Sequence, residues 1–109
     1  MAYDEAIAER VRKVLRRSKD ITEKRMFGGL SFLLSGNMCC GVVDKDLCLR
    51  LGNEGAREAL KERHTRQMDF TGKPLGSMVY VGPAGFRTND DLESWVKRAV
   101  SYTELLPPK

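Results

Sequence analysis

The fold of this 109-residue sequence depends on the stretch "KRMFGGLSFLLSGNMCCGVV", Lys24 to Val43. Two strand-like runs, Leu30–Ser35 and Met38–Val43, lie on either side of Gly36-Asn37. A short turn of this composition between alternating apolar residues is typical of a β-hairpin. The stretch therefore predicts that an antiparallel sheet forms the centre of the domain.

A third strand is predicted from Leu47 to Leu51, after the short turn Asp44-Lys45-Asp46. If the turns fix the register, Ser35 faces Met38 and Val43 faces Leu47. An almost wholly apolar face then forms the core, with Leu30, Phe32, Leu34, Cys39, Gly41, Val43, Leu47, Leu49 and Leu51. The mixed face carries Ser31, Leu33, Ser35, Met38, Cys40, Val42, Cys48 and Arg50, and it is either half covered or an interaction surface.

The glycine pair Gly28-Gly29 raises the question of a phosphate-binding loop. Such loops place glycines at set offsets directly before a helix, so that several backbone N–H groups meet the phosphate. Here the pair leads into a strand and matches neither G-x-G-x-x-G nor G-K-[ST]. The pattern favours a tight bend or a close approach of two backbones.

Helical periodicity flanks the predicted sheet on both sides. Helices are predicted at Asp4–Arg17, at Glu54–Arg63 and from Thr88-Asn89 onward, and a second hairpin is predicted to join Gln67–Thr71 to Ser77–Val81. No linker or repeat divides the chain. We therefore expect one α+β domain over residues 1–109, with an antiparallel meander, a second hairpin, and helices at both ends.

No group of residues has the pattern of a catalytic or metal site. Cys39, Cys40 and Cys48 lack zinc-ligand spacing and are read as small buried hydrophobes, with redox sensing as the alternative. His64 is the only histidine and lies in the charged run "KERHTRQ". The sequence thus predicts no enzyme, no cofactor and no metal.

The net charge of +4 is concentrated near the N-terminus. Between Glu9 and Arg25 there are eight cations and three anions, a segment charge of +5. The candidate nucleic-acid contacts are Arg10, Arg12, Lys13, Arg16, Arg17, Lys24 and Arg25. Such a basic face attracts phosphates or an acidic partner, and it is also the pattern of an ordinary solvated helix.

The sequence begins with the charged segment "MAYDEAIAER" rather than a signal-peptide core, and no apolar run is long enough to span a bilayer. The odd number of cysteines fits a reducing compartment. We expect a cytoplasmic protein that makes no membrane contact.

Two segments, "RMFGGLSFLLSGNMCCGVVDKDLCLRLG" and "MVYVGPAGFRTNDDLESWVKRAV", resemble the N-terminal domain of the TfoX/Sxy competence regulators. The resemblance rests mainly on Arg25-Met26-Phe27-Gly28-Gly29, Leu49-Arg50 and Trp95. It implies a compact α+β domain without catalytic residues or cofactor. Full-length relatives act with the cyclic-AMP receptor protein on DNA-uptake genes and carry a second, helical domain. This chain is expected to be the N-terminal domain standing alone.

Our first hypothesis is a non-enzymatic regulatory or adaptor domain that binds another protein in competence-type transcription regulation. Its partner surface is predicted on the mixed face of the sheet, at Met38, Cys40, Val42, Cys48 and Arg50. The same face is a candidate homodimer surface. The alternatives are nucleic-acid binding through the basic first helix and, more weakly supported, a small-molecule site at the Gly28-Gly29 bend.

Overall fold

The computed structural model describes residues 3–18, 20–26, 28–70 and 73–108. Within these ranges there are three α-helices, one 3-10 helix and six strands. In chain order they are α1 (Glu5–Leu15), β1 (Ile21–Met26), β2 (Gly29–Leu34), β3 (Asn37–Val43), β4 (Asp46–Arg50), α2 (Gly52–Ala59), β5 (Thr65–Phe70), β6 (Lys73–Val81), the 3-10 helix Pro83–Phe86 and α3 (Asn89–Thr103). The α+β class predicted from the sequence is confirmed.

All six strands belong to one antiparallel sheet with the order β1-β2-β3-β4-β6-β5. The three helices pack on one face of this sheet, where they bury a continuous apolar core. Its largest fully buried strand side chains are Phe32, Leu47, Leu49, Val42, Val79 and Val81. Burying a side chain of this size stabilises the fold by roughly 1.5–3 kcal/mol, so the helical layer and the sheet form as one unit.

The predicted first and last helices are confirmed, together with their capping signals. The Asp4 carboxylate accepts a hydrogen bond from the Ile7 N–H at 3.1 Å, which satisfies a backbone donor at the start of α1. Thr88 caps α3 in the same way, accepting from the Asp91 N–H at 3.0 Å.

The second helix differs from its predicted span, Glu54–Arg63, because it begins at Gly52 and ends at Ala59. The Thr65 hydroxyl contacts the carbonyl oxygens of Ala59 and Glu62 at 3.0 and 2.9 Å. This side chain therefore satisfies carbonyl groups at the end of the helix, where the chain turns into β5.

Both turns of the meander lie one residue from their predicted positions. The first turn is Ser35-Gly36, with φ of 50° and 85°, and Leu34 pairs with Asn37. The second is Asp44-Lys45, so that Val43 pairs with Asp46 rather than Leu47. In the first turn, positive φ at both residues matches the right-handed twist of a two-residue hairpin, whereas in the second turn only Asp44 has positive φ.

The predicted faces of Met38 and Cys39 are confirmed, but the predicted face assignment of β3 is wrong from Cys40 to Val43. A register shift between Phe32 and Leu33 places Phe32 opposite Cys40 and Leu33 opposite Met38, which leaves Cys39 as the extra residue of a β-bulge. Cys40 and Val42 therefore lie on the helix-covered face, whereas Gly41 and Val43 move to the opposite face.

The sequence analysis does not predict β1, since half of the residues in "ITEKRM" are charged and the segment resembles a loop. Because β1 is an edge strand, only one side of it pairs with the sheet, and charged residues are common in such strands. The second hairpin is confirmed as β5 and β6, although residues 73–76 of its predicted turn belong to β6. Thr71 and Gly72 lie outside the described residues.

Candidate functional site

The sheet face opposite the helices was the predicted partner surface. A small apolar cluster lies there, in which Met38, Cys48 and Met78 are 8%, 1% and 7% exposed and Leu33 and Tyr80 pack beside them. Cys40 and Val42 are absent from this face and have no exposed surface. They could reach a partner only if the core opened, so two of the five predicted surface residues are ruled out as contacts.

Charged side chains border this apolar cluster. A guanidinium nitrogen of Arg50, which is half-buried, donates to the Met38 carbonyl at 3.4 Å. The Arg66 guanidinium lies 4.5 Å from the centre of the Tyr80 ring and bonds Asp46 at 2.6 Å. The described residues of this cluster and its charged border expose little apolar area to a partner.

Two of the seven predicted nucleic-acid contacts serve the fold instead. The first is Arg10, whose guanidinium donates to the carbonyl oxygens of Phe86, Arg87 and Thr88 at 2.8, 3.4 and 3.2 Å. Its charge also lies 5.6 Å from the Phe86 ring centre. Arg10 therefore fastens α1 to the segment that leads into α3.

Arg12, the second, is surrounded by carboxylates. It bonds both oxygens of Glu23 at 2.7 and 2.9 Å, Glu5 at 2.6 Å and Glu9 at 3.1 Å. This bidentate arrangement joins α1 to β1. The bonds to Glu23 and Glu5 raise the pKa of Arg12, and the bond from Arg12 lowers the pKa of Glu5.

The Arg12 network predicts a pH-dependent loss of stability in Arg12→Met. The folded-state pKa of Glu5 is below its unfolded value, so its contribution is present above about pH 4.3 and is lost as the pH falls through the folded value. The substitution also leaves three carboxylates facing one another. We expect Tm to fall by on the order of 4 °C at neutral pH, and the difference from wild type to shrink toward pH 3.

Thermal unfolding followed by circular dichroism measures this difference. The matched control is Arg16→Met, since the Arg16 side chain is 71% exposed and lies 4.0 Å from its nearest carboxylate oxygen, on Glu9. An equal loss of Tm in both variants, or a difference that does not depend on pH, would contradict the role given to the Arg12 network.

The remaining predicted cations are exposed but do not share one surface. Lys13, Arg16 and Arg17 lie in the C-terminal half of α1 and just after it. In β1, Lys24 pairs with Ser31 on the second face of the sheet, whereas Arg25 pairs with Leu30 on the helix face. Of the seven predicted nucleic-acid contacts, the structure thus brings together three, Lys13, Arg16 and Arg17.

The three thiols are buried, and their chemistry follows from their positions. The contact between Cys39 and Cys40 lowers the pKa of Cys39 and raises that of Cys40, as expected if the Cys40 thiol donates its hydrogen. Burial raises the pKa of Cys48 to about 12. Because the thiolate is the reactive form, Cys40 and Cys48 are held in the unreactive state.

The remaining sequence candidates are structural. Gly28 has φ of +76° in the turn between β1 and β2, and Gly29 approaches the β3 backbone closely, so the interpretation of this pair as a bend is confirmed. His64 is exposed, also with positive φ, beside β5. No group of three or more His, Cys, Asp or Glu residues in the described part of the chain could hold a metal ion.

The described residues form two grooves along α3, which local sequence patterns do not indicate. The larger, about 710 Å³, lies between α2 and α3. Two adjoining depressions of about 340 and 350 Å³ lie between α1 and α3 and share Lys13, Val14 and Glu93. Glu93 and Lys97, four residues apart on α3, form an ion pair at 2.7 Å. Their position at a groove depends on packing between distant segments, which local patterns do not encode.

Within the ranges described, no helix combines the length and apolar character needed to cross a bilayer.

Comparison with known proteins gives the family. Comparison with curated proteins gives no match. A family model described as the TfoX N-terminal domain matches residues 13–102, from the last turn of α1 to the last turn of α3. The chain therefore belongs to the TfoX N-terminal domain family, a family of competence-related, non-catalytic regulatory domains.

Proposed function

We propose that this chain is a cytoplasmic, non-enzymatic regulatory domain that acts by binding another protein in competence-type control of transcription. The observation that carries the proposal is the set of contacts that the α1 cations make within the domain. Arg10 and Arg12 are engaged with backbone carbonyls and with carboxylates, so the basic segment offers three neighbouring exposed cations rather than a continuous stripe.

Nucleic-acid binding remains the alternative because Lys13, Arg16 and Arg17 are exposed together. Three phosphate contacts on duplex DNA give a slope of about −3 in log K against log salt, whereas seven give about −6. With three, affinity falls about twenty-fold between 50 and 150 mM salt. Binding through three phosphate contacts of this kind is non-specific and weakens as the salt concentration rises to the physiological range.

Two measurements test the proposal together. Anisotropy of labelled duplex DNA, repeated from low to physiological salt, is expected to give a slope near −3 and no micromolar binding at 150 mM. A photo-crosslinking amino acid placed in turn at Arg17, Lys45 and Arg57, all exposed, is expected to yield a discrete protein adduct in cells.

The opposite outcomes are equally specific. Micromolar DNA binding at physiological salt with a slope near −6, and no protein adduct at any of the three positions, would replace this proposal with the nucleic-acid alternative. An adduct of twice the mass of the chain would identify the partner as a second copy and the domain as a homodimer.

A further inference from the structure

The groove between α1 and α3 has an apolar floor. Leu15 and Leu92 are 3% and 1% exposed at its base, and Val14 and Val100 are half-buried along it. The lining residues on α1 run from Arg10 to Leu15, which corresponds to roughly 8 Å of helix at 1.5 Å per residue, and Arg17 and Ser18 extend the groove beyond the end of the helix. That length accommodates a short peptide segment with one or two apolar side chains pointing into the groove.

The rim of the groove is basic. Lys13 borders it from α1, Arg17 from the turn after α1, and Lys97 from α3. Glu93 is the one acid among the lining residues described, and it already bonds Lys97 at 2.7 Å. In the depression next to the C-terminal end of α1, three cations against one anion give a net charge of +2.

The larger groove between α2 and α3 lacks this asymmetry. Its charged lining residues are Asp90, Glu93, Lys97 and Arg98, which balance one another. Arg98 is also engaged, bonding Glu62 at 2.7 Å and stacking 4.4 Å from the Trp95 ring. This groove has the larger volume, but its balanced lining charges favour neither an acidic nor a basic binding partner.

From the charge and the floor of the smaller groove, we propose that the α1–α3 groove binds a short acidic amphipathic segment of a protein partner. This inference rests on the proposed function and adds the chemistry of the partner. Apolar side chains of the segment fill the floor at Val14 and Val100, and its carboxylates meet the cations on the two rims. A nucleic-acid strand would use the cations but leave the apolar floor without a contact.

A library of random 12-residue peptides displayed on phage tests the groove directly. Peptides selected on the wild-type chain are expected to be acidic and to contain apolar residues. Their affinity should fall about ten-fold or more in the double variant Lys13→Glu/Lys97→Glu, because attraction at both rims becomes repulsion. Enriched peptides without an acidic bias, or an unchanged affinity, would overturn the proposal.

The matched control is Lys45→Glu/Lys61→Glu, which changes the net charge equally at exposed positions outside the groove and should alter affinity by less than about two-fold. Circular dichroism verifies the fold. If the double variant is unfolded, Arg17→Glu alone reverses one exposed rim charge and should still weaken binding several-fold.

The crosslinking positions distinguish refutation of the groove as the binding site from refutation of the proposed function. Adducts from Arg17 but not from Arg57 are expected, since Arg17 borders the groove and Arg57 lies on α2 outside it. Adducts from Arg57 alone would place the partner elsewhere and refute the groove while the proposed function stands. Without any protein adduct, both would be refuted.

Discussion

Val42→Asp is expected to abolish folding at 25 °C. Val42 has no exposed surface and lies in the core between Leu30 of β2 and Leu47 of β4. The substitution removes apolar contacts and buries a carboxyl group that must lose its hydration or take up a proton. A loss of about 5 kcal/mol is comparable to the whole stability of a small domain.

The neighbouring residue provides the control. Val43 is half-buried on the opposite face of the sheet, and its cross-strand partner is Asp46. In Val43→Asp the new carboxylate remains hydrated and adds a second negative charge opposite Asp46. We therefore expect a folded protein whose free energy of unfolding is lower by about 1 kcal/mol. Urea titration followed by circular dichroism measures both variants.

This pair of variants tests the register of the sheet, because the face assignment predicted from the sequence has the opposite consequence. If Val43→Asp unfolded the protein and Val42→Asp did not, the core would lie on the other face of β3. A one-residue slip exchanges every side chain of a strand between the two faces, so the two assignments cannot both hold.

Most elements, β1 excepted, are predictable because their signals are local. The apolar stripes of α1 and α3, with Asp4 and Thr88 as caps, are contained within single helices. The strands of the meander were recognised from alternating apolar residues. Their register was not, because Gly36 occupies the second turn position rather than the first, and nothing in "NMCC" marks Cys39 as a bulge.

The candidate site was less predictable, since it depends on contacts between distant segments. Arg12 and Lys13 look alike in the sequence, yet Arg12 bonds Glu23 in β1 whereas Lys13 borders a groove beside α3. Arg10 reaches carbonyl groups more than seventy residues away. Composition therefore located the basic segment but could not separate cations that hold the fold from cations that remain exposed.

Gly29→Ala is expected to destabilise the domain by about 3 kcal/mol, although Gly29 lies outside the left-handed region. Gly29 is buried, and an added Cβ would overlap the Val42 carbonyl oxygen and lie 2.9 Å from Cγ2 of Val43. Because the obstacle is largely the backbone of β3, no change of rotamer can relieve it. The methyl group would instead separate β2 from β3.

Gly28→Ala is the matched control. It adds the same methyl group one residue earlier, where the strain comes from the backbone conformation rather than from a steric overlap. Gly28 has φ of +76° in an exposed turn, and an added Cβ would meet nothing within 4 Å. Its cost is the left-handed backbone alone, about 1 kcal/mol. Chemical denaturation of the two variants should therefore show Gly29→Ala as the less stable. The reverse order would mean that the pair is needed for its backbone conformation, and that β2 and β3 lie farther apart at this point than the structure places them.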